Sequence, residues 1–359
     1  MLKKIDLYII KKFLGTFIFI ITLLMSISVV FDVSERIDDF IKNQAPIKAI
    51  VFDYYLNFVV FYGNLFSSLI IFIAVLWFTG KMSQRSEIVA ILSSGVSFYR
   101  MLVPYFVAAS LLVGFALYFN HFVIPKANKV RLEFEEDYIR NPFRLRVKDV
   151  HREIEEDVII YFNSFNAKSN RGHNFSIEHW NGTKLSKKLI AESAAYDTTT
   201  GRWQIDNYYI RTIYDDEEEI EKGRRLDTLI NFKPEDLGQR LSIASALSYH
   251  ELNDFIEQET KKGSDKVIFY EIEKHQRTSY PLATYILTLI GVSIASRKTR
   301  GGIGVYIALG LLTVGLYIFS MRMSTVAATN VGINPLIAVW IPNIIFGIVA
   351  IIIMKRAPK

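Results

Sequence analysis

The residue types that most often do chemistry are sparse in this chain of 359 residues. It has no cysteine, which removes disulfides, thiol nucleophiles and cysteine-ligated metal together. The histidines, His121, His151, His173, His179, His250 and His275, match no metal-protease spacing, and no Gly-x-Ser-x-Gly elbow is present to expose a serine nucleophile. Gly80-Lys81 is followed by Met82, with no glycine five residues before Gly80, so there is no Walker A loop and the chain is not expected to hydrolyse ATP. These histidines read as scattered surface residues. No catalytic residue, metal site or bound cofactor is expected.

Two groups of polar residues nevertheless stand where polarity is costly. Within the short basic loop Lys81–Arg100, the run Ser83–Gly95 reads as a short helix, with Ser83 placed to cap its start and Gly95 able to take the left-handed conformation at its end. Ile88, Ile91 and Leu92 share one face by their three- and four-residue spacing, while Glu87, Ala90 and Ser94 share another. An acidic residue with two small ones suits packing against a protein, a transport ATPase for example, better than lying on anionic lipid. The second group is Asp32, Glu35 and Arg36 after the first apolar run, with Arg322 after the fifth. Charges this close to apolar chain either sit exposed at a membrane interface or face a polar cavity.

The elements that must position these residues are membrane spans. Six stretches free of Asp, Glu, Lys and Arg, each about 19 residues or longer, match the length a helix needs to cross the hydrocarbon. They lie within Phe13–Phe31, Tyr54–Gly80, Met101–Ile124, Thr278–Ser296, Ile303–Met321 and Met323–Met354. Backbone in lipid must bond internally, and the stretches are too long for barrel strands, so each is read as a helix. The first is also too long for a cleavable signal, and no small-residue cleavage site follows it. Lys3, Lys4, Lys11, Lys12, Lys81, Arg85, Arg100, Arg297, Lys298, Arg300, Lys355, Arg356 and Lys359 fall on one side of these spans, against Arg36, Lys42, Lys48 and Arg322 on the other. Basic short loops stay cytoplasmic, so both termini are expected there. The net charge of +6 reflects this topology, and no nucleic-acid partner is implied. Gly304 and Ala308, four apart, form a weak close-packing pattern.

Residues 126–277 change texture. Val158–Phe162, Phe175–Trp180, Leu189–Tyr196 and Tyr208–Tyr214 are β-branched and aromatic, separated by turn signals at Asn181-Gly182 and Thr200-Gly201. An outward antiparallel sandwich or open jelly roll is expected, with Asp215–Glu219 as a solvated hairpin tip. Ser248–Glu251 has the form of a capping box opening a helix that stops at Gly263, and Pro281 is expected in the first turn of the fourth span. The fold class is thus a six-span helical membrane protein with an inserted all-β, jelly-roll-like domain. Its parts are spans one to three (1–125, with the loop helix at 83–95), the β domain (126–247), a helical connector (248–277) and spans four to six (278–359).

In order along the whole chain, Ile5-Asp-Leu-Tyr-Ile, Arg85-Ser-Glu-Ile-Val-Ala-Ile-Leu-Ser-Ser-Gly-Val-Ser, Phe122-Val-Ile-Pro-Lys-Ala-Asn, Glu273-Lys-His-Gln-Arg-Thr-Ser-Tyr-Pro, Arg300-Gly-Gly and Trp340-Ile-Pro-Asn resemble the LptF/LptG permeases of the lipopolysaccharide export ABC transporter. The resemblance implies a bacterial inner-membrane protein that pairs with a second LptF/LptG-type permease subunit above a cytoplasmic ABC ATPase dimer, which uses the ATP. It implies a periplasmic β-jelly-roll domain that passes lipopolysaccharide to a β-jelly-roll bridge protein. Arg85, Glu87, Ile88, Ile91, Leu92 and Gly95 fall on the family's ATPase-coupling helix, with Glu87 at the acidic contact position. The family's lateral lipid gate falls on the first and fifth spans, which gives Asp32, Glu35, Arg36 and Arg322 a use. Some members carry a lysine where this chain has Asp32, which weakens phosphate recognition by its first span. The alternative reading is a membrane-anchored structural or sensory protein whose loop helix binds a partner other than an ATPase.

Overall fold

A computed structural model describes residues 3–139, 146–166, 169–214, 217–234, 241–264, 266–297 and 302–357. The chain divides into two units, one of Met1–Tyr138, Ala244–Leu252 and Ile268–Lys359, the other of Ile139–Ile243 and Asn253–Val267.

The first unit is helical, and among the described residues six helical stretches are long and apolar enough to cross a membrane. Helix α1 (Lys4–Lys42) has 39 residues. At 1.5 Å per residue it is about 58 Å long, roughly twice the hydrocarbon thickness, so it outruns the apolar stretch at both ends. The second span is broken where the sequence suggests one run. A turn α2 (Ile47–Ala49) and a π-helical segment (Ile50–Tyr55) lead into α3 (Leu56–Leu65), and after Phe66 the chain continues as α4 (Ser67–Gln84). Asn64 and Ser68 flank the break and spend their side chains on neighbouring segments: Asn64 Nδ2 donates to Asn120 Oδ1 at 2.7 Å, and Ser68 Oγ to the carbonyl of Tyr280 at 2.9 Å. Helix α5 (Glu87–Ser93) follows. Helix α6 (Phe98–Tyr118) then runs through a π-helical turn into α7 (Ile124–Phe134), and the helical path ends at Ile139. After the β strands come α8 (Tyr249–Lys261), most of which belongs to the second unit, then α9 (Val267–Ala295), α10 (Gly302–Val331) and α11 (Pro335–Lys355).

Helix α4 is the central post, with α1 and α10 both packed against it. The packing glycines are not the pair suggested by spacing. A Cβ built on Gly304 would meet nothing within 4 Å, whereas one on Gly310 would stand 2.3 Å from Leu76 and one on Gly291 2.9 Å from Val75. Small residues matter where backbones approach closely, and here that approach is to α4.

The second unit holds one six-stranded antiparallel sheet with strands in chain order: β1 (Arg146–Glu155), β2 (Val158–Asn166), β3 (Arg171–Asn181), β4 (Lys184–Asp197), β5 (Arg202–Ile213) and β6 (Glu218–Thr228). Among the described residues it is an open meander and not a pair of facing sheets. It is strongly rolled. Strands β2 and β5 would lie about 14 Å apart in a flat sheet at ~4.8 Å per strand, yet the rings of Phe162 and Trp203 are 5.7 Å apart. The trough is filled by Ile160, Phe162, Phe165, Phe175, Trp203 and Phe232, and the Trp203 indole donates to the carbonyl of Phe232 at 2.8 Å.

The turns form where glycine permits a positive φ, at Gly182 (63°) and Gly201 (69°). The acidic run is different from expectation. Glu218 and Glu219 belong to the edge strand β6, opposite Ile213 and Thr212, while Asp215 and Asp216 lie outside the described residues. A charged edge resists pairing with stray strands, which explains why this segment lacks the β-branched signature.

Candidate functional site

Helix α5 is shorter than the run Ser83–Gly95. Ser83 does not cap it, being buried in the last turn of α4 with its hydroxyl donating to the carbonyl of Ser296 at 3.3 Å. Ser86, at φ 60°, makes the corner instead, and Gly95, at φ 85°, makes the exit. The apolar face points inward as its spacing requires: Ile88 is buried, and Ile91 and Leu92 pack on the same cluster as Ile9, Phe13, Phe78 and Phe98. Arg85, Val89, Ala90, Ser93 and Ser94 remain exposed. Glu87 accepts a hydrogen bond from Tyr8 Oη at 2.9 Å, so this face includes the first turns of α1.

The four charges around the first and fifth spans are not one cluster. Arg36 Nε lies 3.9 Å from Asp32, one turn back on α1, and Tyr55 Oη donates to Asp32 at 3.2 Å. Glu35 and Arg322 are exposed, and among the described residues no hydrogen bond or ion pair joins Arg322 to the other three. Asp32 is therefore held as a partner of Arg36 and Tyr55. Below it on α1 opens a groove of 520 Å³ lined by Ile21, Thr22, Met25, Ser26, Val29, Val59 and Gly63. It lies between α1 and α3, the first and second spans, and its mostly apolar wall suits hydrocarbon.

A polar joint lies at the other end of α4 from α5. Pro281 stands well inside α9 and not in its first turn, because α9 begins at Val267. Lacking an N–H, it leaves the carbonyl of Arg277 without its helical donor. Asn120 Nδ2 supplies one at 3.0 Å, and Asn120 in turn accepts from Asn64. The Arg277 side chain is 4% exposed and its Nη2 donates to the carbonyls of Ala244 and Leu247 at 2.7 and 2.8 Å. Beside it, Asn128 donates to Ser245 at 2.5 Å and accepts from Arg131, which pairs with Glu135 and lies over the Phe61 ring at 4.8 Å. The chain leaving the β strands is thus fastened to α7 and α9. The Glu273–Pro281 motif carried the signal for this joint, since a proline and an arginine four apart in a helix demand outside partners.

The connector helix α8 has its capping box: Glu251 accepts from the Ser248 amide at 2.8 Å, and Ser248 Oγ accepts from the Glu251 amide at 3.4 Å. The Ser248 hydroxyl and amide hold the Glu251 carboxyl below the usual carboxylate range. In the β unit, a second cavity of 310 Å³ opens beside the trough, with a mixed wall in which Ile154, Val158, Ile210 and Leu226 stand next to Glu155, His179 and Lys187.

These features give the chain an exposed face at α5, an apolar groove on α1 and a fastened joint at α9. A search among curated proteins finds no match. The family model described as lipopolysaccharide export system permease LptF/LptG matches residues 7–356, nearly the whole chain. The chain belongs to the LptF/LptG family of lipopolysaccharide export permeases.

Proposed function

We propose that this chain is one of two paired permease subunits in an ABC-type exporter that takes lipopolysaccharide from the inner membrane and passes it to a periplasmic β bridge. The observation that carries the reading is α5. It is a short helix locked to the spans by Ile88, Ile91 and Leu92, with Glu87 and a row of small residues left at the surface. Both termini and α5 are cytoplasmic in this reading, by the excess of lysine and arginine on that side. A separate ATPase dimer grips α5, so the energy source is external and this chain binds no nucleotide. A lipid with several acyl chains needs such a source, because exposing each methylene to water costs about 0.8 kcal/mol.

The groove on α1 and α3 gives acyl chains a first site, and the cavity beside the filled trough of the β unit gives a second. Among the described residues the sheet's edge strands are β1 and β6, and strand addition by a bridge protein takes such an edge when the added strand matches the charges that turn stray strands away. Asp32 disfavours phosphate at the end of α1. Arg322, exposed on α10, or the paired subunit supplies positive charge there.

The test is affinity purification from detergent-solubilised native membranes, comparing wild type with Glu87→Arg. An ATPase and a second six-span chain are expected with wild type, and the ATPase alone is expected to be lost from the variant. Recovery of neither from membranes containing intact protein would favour the structural or sensory reading.

A further inference from the structure

The first turns of α1 carry a set of contacts that the coupling helix does not by itself require. Asp6 is 4% exposed, although it lies only two residues beyond the helix start. Its carboxylate receives a two-pronged interaction from Arg100, in the first turn of α6, with Nη1 to Oδ1 at 2.9 Å and Nη2 to Oδ2 at 2.6 Å. The Lys3 amide also donates to it, at 2.7 Å, closing the N-terminus of α1. Two residues on, Tyr8 donates to Glu87. Between these polar contacts, Ile9 and Phe13 sit in the apolar cluster that also holds Ile88, Phe98 and Met101. Phe13 stacks on Phe78 at 5.5 Å, and Phe78 on Tyr105 at 5.3 Å. Side chains of α1, α4, α5 and α6 are therefore interlocked at this end, and a forked guanidinium–carboxylate pair fixes angle as well as distance.

Beyond this end the helix runs without a break to Lys42. Over its middle length Ile18, Phe19, Leu23, Ile27, Val30 and Phe31 are exposed, and the groove at Ile21–Val29 lies on this stretch. The far end is held again, with Phe40 buried and its ring set edge-on to Tyr54, Tyr55 and Phe134. A long unbroken helix clamped at the α5 end and seated on an aromatic contact at the other is a lever with a fulcrum.

We propose that Asp6 and Arg100 are positioning residues for energy coupling: their ion pair, with the Tyr8–Glu87 hydrogen bond, makes the start of α1 one rigid body with α5, so that displacement of α5 swings the lipid-facing length of α1. The proposal rests on the reading of α5 as the ATPase-gripped helix. The power stroke then reaches the groove directly through α1, and α5 and the groove move together. Neutralising the pair leaves α5 in place to bind the ATPase while the lever loses its fixed angle.

The experiment uses the complex recovered with its ATPase. The native chain has no cysteine, so spin labels can be placed through Val89→Cys on α5 and Val30→Cys on α1, both exposed positions. With the native pair intact, the distance between labels is expected to be the same without nucleotide and with ATP trapped. With Asp6→Asn added, the distance is expected to change on trapping, and ATP-driven release of lipopolysaccharide from proteoliposomes to fall by roughly tenfold or more while ATP hydrolysis persists. Arg100→Lys keeps the charge but not the fork, and is expected to act in the same direction, so it carries the test if Asp6→Asn does not fold. A label distance that shifts with nucleotide in the native background would overturn the proposal, as would wild-type release in both variants. Failure to recover any ATPase with the wild type would instead sink the reading of α5 on which it rests.

Discussion

Replacing Arg277 by alanine should free the segment that leads from the β strands back to the spans. Its guanidinium donates to the carbonyls of Ala244 and Leu247 from a side chain only 4% exposed, and it lies 3.9 Å from Glu273. A hydrogen bond to a charged group contributes about 1.5–3 kcal/mol, and two are lost together, along with the stem's packing. Some of this is returned because Arg277 no longer has to be desolvated. A net local loss of about 3 kcal/mol corresponds to a change of roughly a hundredfold in the opening equilibrium. Hydrogen–deuterium exchange on the full-length protein reads this directly. The amides of Leu247 and Leu252, bonded to Ala244 and Ser248, should exchange about a hundredfold faster at the stated cost. Peptides from α11 should not change. Arg277→Met, which keeps an unbranched stem but no donor, should behave alike. Unchanged protection at 244–252 in both variants would refute the assignment of this arginine as the fastening of the joint.

Other outcomes follow from the same packing. Gly310→Ala places a methyl 2.3 Å from Leu76 in the contact of α10 with α4, and should cost about 1–3 kcal/mol in thermal denaturation, whereas Gly304→Ala, with open space around it, should be near neutral. Trp203→Ala removes the ring that joins Phe162, Phe165, Phe175 and Phe232 and should destabilise the β unit by about 3–5 kcal/mol in denaturant titration. The lowered Glu251 carboxyl stabilises the start of α8 fully above its unfolded pKa, and this stabilisation is lost as pH falls through the folded one. Amide protection in the first turn of α8 should therefore decline on acidification. Glu251→Gln, which keeps the capping box without the charge, should abolish that pH dependence.

The six spans were legible because lipid imposes one severe rule: a charge-free run of sufficient length must be helical. The same rule says nothing about breaks. The residues flanking the interruption at Phe66 and the carbonyl freed by Pro281 share one partner distant in sequence, Asn120; a mid-helix proline announces that a partner is needed but not which residue supplies it. Strands β2 to β5 were legible from their β-branched and aromatic runs. The edge strands β1 and β6 were not, since an exposed edge is selected for charge and against the very residues that signal a strand. In the candidate site, the apolar face of α5 was readable at three- and four-residue spacing, but its corner at Ser86 was not, because a left-handed serine has no sequence signature comparable to that of Gly95. The contacts of Asp6 with Arg100 and of Tyr8 with Glu87 bring together residues from separate elements, and only tertiary packing reveals them.

The central claim, that this chain moves lipopolysaccharide with energy from a separate ATPase, is tested most directly by reconstitution. The complex purified with this chain is placed in proteoliposomes containing lipopolysaccharide, and release to a soluble periplasmic bridge acceptor is followed with and without ATP. Release that requires ATP and disappears with Glu87→Arg is the predicted result. Vigorous ATP hydrolysis by an intact complex with no release of lipopolysaccharide to the acceptor would contradict it.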